Sequence, residues 1–239
     1  TYMRMLRSIY NRGVDMHQAP YVHGLFRDVF TGVDTRQKKA IPIGELHMLL
    51  NKDPQSEKLR RTQAIANLLF QFCGMPFSDL AHLEKSNLER GLLKYNRTKT
   101  GTPMSIEVLE SAQNAIGGLY NKSDARSSGY PDYLFRILSG AYKRNEEGAY
   151  REYQSALRRF NNELKSLSRK LRLHSPVTSY TLRHSWATTA KYRGVPIEMI
   201  SESLGHKSIK TTQIYLKGFE LEERTKVNKL NYSYVCNFK

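Results

Sequence analysis

Between positions 153 and 171, apolar side chains fall at Tyr153, Leu157, Phe160, Leu164, Leu167 and Leu171, alternately four and three residues apart. At 3.6 residues per turn these positions form one stripe, with arginine and lysine crowding the other side. The stripe predicts a long helix with one face on a core; a coiled-coil seam needs more heptads. Elements to build that core can be read on either side of it. Helices are expected over 44–52, 58–72, 79–83, 107–120 and 133–142, the second burying Ile65, Leu68, Leu69 and Phe72. Runs 92–96 and 104–108 read as a hairpin joined by the basic turn Arg97-Thr98-Lys99-Thr100-Gly101-Thr102-Pro103. The expected fold is mostly α with a small antiparallel β-sheet, an α+β architecture without internal repeats.

Residues 2–14 place Met3, Leu6, Ile9 and Tyr10 at helical spacing with Arg4, Arg7 and Arg12 between them. This is an amphipathic basic helix too short to be a domain, and it reads as the end of something larger. Residues 31–44 are polar, basic and turn-rich, including Lys38 and Lys39, and read as a linker. The 239 residues carry 38 Lys and Arg against 22 Asp and Glu, a net charge of +16. That surplus points to a polyanion, nucleic acid ahead of an acidic membrane surface, with a merely solvated basic surface as the alternative. The most apolar run, 68–77, is broken by Gln71 and Pro76, far short of the about 20 residues that span a bilayer. The start carries no basic-then-apolar signal peptide. Cys73 and Cys236 are too few for a disulfide framework or a structural zinc site, and favour a reducing compartment.

The densest signals lie in 176–218. Thr178 or Ser179 can cap a helix that Gly194 stops, Pro196 can start a second that Gly205 ends, and Ser208 can cap a third. On a helical wheel Leu182, Trp186, Thr189 and Ala190 share the core side, and Tyr180, Arg183, His184 and Ala187 share the neighbouring arc, available to a ligand. The runs Leu182-Arg183-His184-Ser185-Trp186-Ala187-Thr188, Leu204-Gly205-His206-Lys207-Ser208 and Thr211-Thr212-Gln213-Ile214-Tyr215 closely resemble the C-terminal box of the tyrosine recombinases, the phage integrase family. Arg183 and His206 stand 23 positions apart and His206 and Tyr215 nine, both as in that family. Gly74-Met75-Pro76-Phe77 and Arg97-Thr98-Lys99-Thr100-Gly101 look most like integrases of Bacteroides-type mobile elements.

The resemblance implies a site-specific recombinase, an integrase or invertase, and it implies roles. Tyr215 would attack the scissile phosphate, giving a 3′-phosphotyrosine and a free 5′-hydroxyl. Arg183 would hold two non-bridging oxygens and stabilise charge growing on the phosphorane. His206 would donate to the phosphate or assist with the tyrosine proton, and Lys99 would be the acid for the departing 5′-oxygen. Tyr180 stands where the family usually has histidine, and its phenol can still donate one hydrogen bond. His184 and Asp79 would support these groups from behind. Arg97, Thr98, Lys207, Lys210, Lys38 and Lys39 would contact DNA. No cofactor or metal is implied. The expected partners are double-stranded DNA, further copies of the chain in a tetramer on DNA, and a DNA-bending accessory protein, in the bacterial cytoplasm at the nucleoid.

One departure is serious. The family's first catalytic arginine belongs in the turn 74–80, where Pro76 occupies its position, and Cys73 is no arginine either. Three readings stand: Arg126 folds into the gap, the enzyme works slowly with one arginine, or the chain is a sequence-specific DNA-binding protein without strand cleavage, natural or by mutation. A type IB topoisomerase would share the chemistry but not a site preference. The implied organisation is 1–30 as the last helix of a truncated core-binding domain, 31–44 as linker, 45–219 as catalytic domain and 220–239 as a tail. In that tail 221–230 reads as helix and 231–238 as an edge strand, either exchanged between protomers or packed back on its own domain.

Overall fold

In the computed structural model the described residues are 2–29, 31, 40–122, 130–216 and 221–237, with the backbone alone described at 214, 215 and 221–223. Two compact units divide the chain, Thr1–Gln37 and Lys38–Lys239. In the first, helix α1 (Tyr2–Asp15) is followed by turns that fold back on it. The Tyr10 hydroxyl donates to the Pro20 carbonyl at 2.8 Å and accepts from Val22 N at 2.6 Å, and its ring lies 5.8 Å from that of Phe26. The apolar residues expected on one face of α1 do share it, but none is buried.

The second unit is mostly helical with one small antiparallel sheet, as the sequence predicts. Helices α2 (Ile43–Asn51), α3 (Glu57–Gln71) and α4 (Phe77–Ala81) precede strands β1 (Leu88–Glu89), β2 (Leu92–Asn96) and β3 (Pro103–Glu107). The sheet order is β1-β2-β3, with Leu93 opposite Ile106 and Asn96 opposite Pro103. Then come α5 (Glu110–Leu119), the long α6 (Glu147–Lys170), α7 (Ser179–Tyr192), α8 (Ile197–Ser203), α9 (Ile209–Tyr215) and α10 (Leu221–Cys236).

The stripe on α6 supplies the core. Phe160, Leu164, Leu167 and Leu171 are buried against Leu68, Leu69 and Phe72 of the α3 region, and Phe160 stacks on Phe77 with ring centres 4.8 Å apart. Each such apolar side chain contributes about 1.5–3 kcal/mol on burial. A smaller cluster of Ala187, Ile200, Leu204 and Leu216 joins α7, α8 and the end of α9. On α7 both Arg183 and His184 are buried along with Ala187, so most of the arc expected to face a ligand lies inside the protein.

Two expectations are corrected. No helix forms over 133–142. Tyr133, Leu134 and Phe135 are all buried, and the backbone of Tyr133 and Phe135 is spent on bridges to other segments rather than on helical turns. Tyr133 bridges to Glu84 and Phe135 to Tyr120, with Leu134 N donating to the Leu83 carbonyl at 2.7 Å. At the other end, 231–236 is no strand: α10 continues to Cys236, and Asn237 N donates to the Ser233 carbonyl. The alternation of Tyr232 and Tyr234 has no strand to pair with among the described residues, so local hydrogen bonds prevail. From Arg224 to Asn237 every side chain of this segment is exposed.

Candidate active site

Local signals put the frame of the site in place. Thr178 caps α7 in a reciprocal arrangement, its hydroxyl accepting from Thr181 N at 3.1 Å while the Thr181 hydroxyl accepts from Thr178 N at 2.8 Å. Arg183 follows about one turn later. Below it the chain leaves α3 through Cys73 and Gly74, both with positive φ (54° and 64°). A Cβ on Gly74 would come within 3.2 Å of Arg183 Cα, so glycine lets this turn press against α7. The turn carbonyl then accepts from Arg183 Nη1 at 2.8 Å.

The other Arg183 nitrogen, Nη2, donates to the Leu204 carbonyl at 2.6 Å and lies 3.3 Å from His206 Nε2. The runs Leu182–Thr188 and Leu204–Ser208 are thus joined through one buried guanidinium, only 6% exposed. His206 Nδ1 sits 2.9 Å from the Thr212 hydroxyl on α9, the helix whose last residue is Tyr215. Burial, and then the charges of Arg183, Arg97 and Lys99, push the His206 pKa down to about 4, so its ring is neutral near pH 7.

The hairpin closes the site from the other side. Arg97 continues the inward positions Leu93 and Tyr95 past the end of β2, and it is buried rather than solvated at the tip. Its Nε lies 2.9 Å from Asp79 Oδ2, with the two side chains 6% and 1% exposed. Its Nη1 donates to the same Leu204 carbonyl that Arg183 uses. Thr98 N also donates to Asp79, at 3.2 Å, and the hydroxyls of Thr100 and Thr102 reach the Gly205 carbonyl at 3.4 Å. Gly205 (φ 64°) must be small here: a Cβ would meet Met104 Sδ at 2.8 Å and Arg97 Cγ at 2.9 Å.

Two arginines 86 positions apart in the chain therefore converge on one carbonyl oxygen beside a neutral histidine. Sequence reasoning grouped Arg97 with the DNA-contacting residues and looked to Arg126 for a second arginine. Arg126 lies outside the described residues, as do Lys38 and Lys39. The signal that finds Arg97 is strand periodicity, which places it on the same inward face as Leu93 and Tyr95. Asp79, expected to orient an arginine, is the carboxylate it meets. Burial also holds the Tyr95 phenol protonated to well above its ordinary range.

Of the other candidates, Lys99 is exposed in the turn beyond Arg97, near enough for its charge to act on His206. Thr98, Lys207 and Lys210 are exposed as well. Tyr180 is exposed on the first turn of α7, one turn before Arg183, whereas His184 is buried. The structure describes Tyr215 by its backbone at the end of α9. Among the described residues no group of three or more His, Cys, Asp or Glu is placed to hold a metal ion, and no helix is long and apolar enough to cross a membrane.

The arrangement offers a fork of buried donors and a neutral imidazole around one point, with an exposed lysine whose charge reaches it, which suits an anionic group passing through a more highly charged state. Known proteins bear on what that group is. A probable integrase/recombinase of Methanocaldococcus jannaschii is 28% identical over 204 residues, covering 82% of this chain and 58% of that protein. Tyrosine recombinase XerD of Halalkalibacterium halodurans is 30% identical over 190 residues, covering 75% of this chain and 57% of that protein. The chain thus spans somewhat over half the length of these relatives. Among solved structures, XerA recombinase superposes with a TM-score of 0.58 at 22% identity, over 83% of this chain and 66% of that one. The Tn1549 transposon integrase in complex with circular intermediate DNA gives 0.63 at 16% identity, over 94% and 77%. Residues 43–221 match the pattern of the phage integrase family, and the chain belongs to that family.

Proposed function

We propose that this chain is the catalytic part of a site-specific tyrosine recombinase that cuts and rejoins double-stranded DNA through a 3′-phosphotyrosine. The observation that carries the reading is the convergence of Arg97 and Arg183 on the Leu204 carbonyl, next to His206. A phosphate entering there meets two guanidiniums, so Arg97 takes the part of the arginine missing at Pro76. Its pairing with Asp79 supplies the orientation that a second phosphate contact needs. This removes the motive for a DNA-binding protein without cleavage, which rested on a single arginine.

In the proposed step the Tyr215 hydroxyl oxygen bonds to the scissile phosphorus while the bond from phosphorus to the 5′-oxygen breaks. A phenol is a weak nucleophile near its ordinary pKa of about 10, so its proton must leave as the bond forms. The neutral His206 ring can take that proton on Nε2. Lys99 Nζ delivers a proton to the departing 5′-oxygen, and the two arginines balance the charge on the phosphorane. The covalent link conserves the bond energy, so the 5′-hydroxyl of another strand can reverse the step. Tyr180, one turn from Arg183, would add one donor. The basic outer face of α6, with exposed Arg151, Arg158, Arg159, Lys165 and Arg169, joins Lys207 and Lys210 in binding the duplex backbone. Residues 45–219 form the catalytic domain of this reading. Ahead of that domain, residues 1–30 would end a core-binding domain and 31–44 would link the two; several copies would assemble on one DNA inside the cell, with α10 exchanged between them.

The test is a nicked duplex carrying a cognate recombination site, selected by binding, on which cleavage releases a short strand and traps the covalent intermediate. Wild type should give a denaturation-resistant protein–DNA adduct, and Tyr215→Phe should bind equally and give none. An adduct that survives Tyr215→Phe, or binding with no adduct from wild type, rejects the proposal.

A further inference from the structure

Thr212 lies in the middle of α9, three residues before Tyr215, and is fully buried. Its hydroxyl oxygen stands 2.9 Å from His206 Nδ1, and on the opposite edge of the ring Nε2 stands 3.3 Å from Arg183 Nη2. A guanidinium only donates hydrogen bonds. Nε2 must therefore accept, and the proton of the neutral ring resides on Nδ1, donated to the threonine oxygen.

We propose that Thr212 is a positioning residue for strand cleavage: its hydroxyl fixes His206 as the Nδ1–H tautomer, leaves the Nε2 lone pair as the proton acceptor, and ties that ring to the helix bearing Tyr215. The inference rests on the recombinase reading above. In the step, the incoming phosphate takes over the Arg183 Nη2 hydrogen bond and so frees the Nε2 lone pair. The Tyr215 proton passes to it as the oxygen–phosphorus bond forms, and the ring becomes an imidazolium with both nitrogens protonated. The new charge then has an acceptor at Nδ1, the threonine oxygen. All the charged groups described around the ring are cations, Arg183 from α7 and Arg97 and Lys99 from the hairpin. The ring is thus kept unprotonated until a phosphate offsets those charges. Packing alone does not need the hydroxyl, because valine fills the same volume. The geometry also couples two motions, since a displacement of α9 that carried Tyr215 away would drag the histidine out of register with Arg183.

The test compares wild type, Thr212→Ser and Thr212→Val by two measurements. Long-range nitrogen–proton NMR correlations of the imidazoles report the tautomer without any substrate, the His206 signals being assigned by their loss in His206→Gln. Wild type and Thr212→Ser should show a protonated Nδ1 and a bare Nε2, and Thr212→Val should lose that single tautomer. On the nicked duplex, Thr212→Val should cleave about 100-fold more slowly at unchanged binding, at the lower end of what a general base contributes, with Thr212→Ser near wild type. Retention of the wild-type tautomer in Thr212→Val overturns the inference, as does an equal loss of rate in both variants, which signals packing alone. If wild type forms no adduct, the recombinase reading fails, and the imidazole spectra by themselves decide whether Thr212 sets the tautomer.

Discussion

The pairing of Arg97 with Asp79 is open to a direct energetic test that needs no substrate. The two charges are 2.9 Å apart with side chains 6% and 1% exposed, so water screens them little. Replacing Arg97 by Met leaves the Asp79 carboxylate buried with Thr98 N at 3.2 Å and the Ser78 hydroxyl at 3.3 Å as remaining donors. Removing one partner of a buried pair costs about 3–5 kcal/mol. For a unit of this size that corresponds to a fall in Tm of about 6–20 °C. Taking out the carboxylate as well, in Arg97→Met with Asp79→Leu, should recover part of the loss, with a coupling of about 2–3 kcal/mol between the sites. Urea unfolding followed by the fluorescence of Trp186, the one tryptophan, measures all four proteins. Arg60 and Asp53 are an internal control: also 2.9 Å apart, but 56% and 58% exposed, they are screened by water and should contribute far less than the buried pair. If Arg97→Met costs as little as Arg60→Met, or if the two single losses simply add, Arg97 is not held by Asp79 and its proposed place beside the phosphate has no foundation.

His206 makes stability depend on pH in a defined window. Its pKa falls from 6.5 to about 4 on folding, so between those values the unfolded chain binds more protons and the native state weakens as pH drops. Melting temperatures of wild type should decline from pH 6.5 to 4 more steeply than those of His206→Gln, and parallel curves would refute the shift. Gly205→Ala forces a Cβ onto Met104 and Arg97 at positive φ. It should lower the urea midpoint by the equivalent of about 1–3 kcal/mol, and an unchanged midpoint contradicts the close approach of hairpin and loop. If Lys99 is the acid, Lys99→Ala should slow cleavage of an ordinary duplex by about 100-fold or more. A duplex with sulfur replacing the bridging 5′-oxygen needs no such proton, and there the variant should match wild type. Equal defects on both substrates exclude the role.

The elements of 178–215 were legible because their signals are local. Thr178 caps within three residues, Gly194 and Gly205 stop helices with their own positive φ, and the α6 stripe states its period in full. What stayed hidden depends on distant partners. Tyr133 and Phe135 look helical until Glu84 and Tyr120 are seen beside them. Tyr232 and Tyr234 alternate like a strand, yet alternation without a neighbouring strand has no hydrogen bonds to gain. Arg97 sits in a turn sequence that reads as a solvated basic tip. Only the tertiary approach of α4 from one side and the Leu204 loop from the other gives it a carboxylate and a carbonyl.

The shared carbonyl of Leu204 also has a temporal meaning. It gathers one arginine from 107 residues earlier and another from 21 residues earlier, so neither is seated before the chain has been made past residue 204. During synthesis, shorter nascent chains and proteolytic remnants ending ahead of that point carry the cations but not the anchor that aligns them. Any fragment that stops short of residue 204 therefore holds both cations without the one oxygen that brings them together, and its buried pocket stays unassembled.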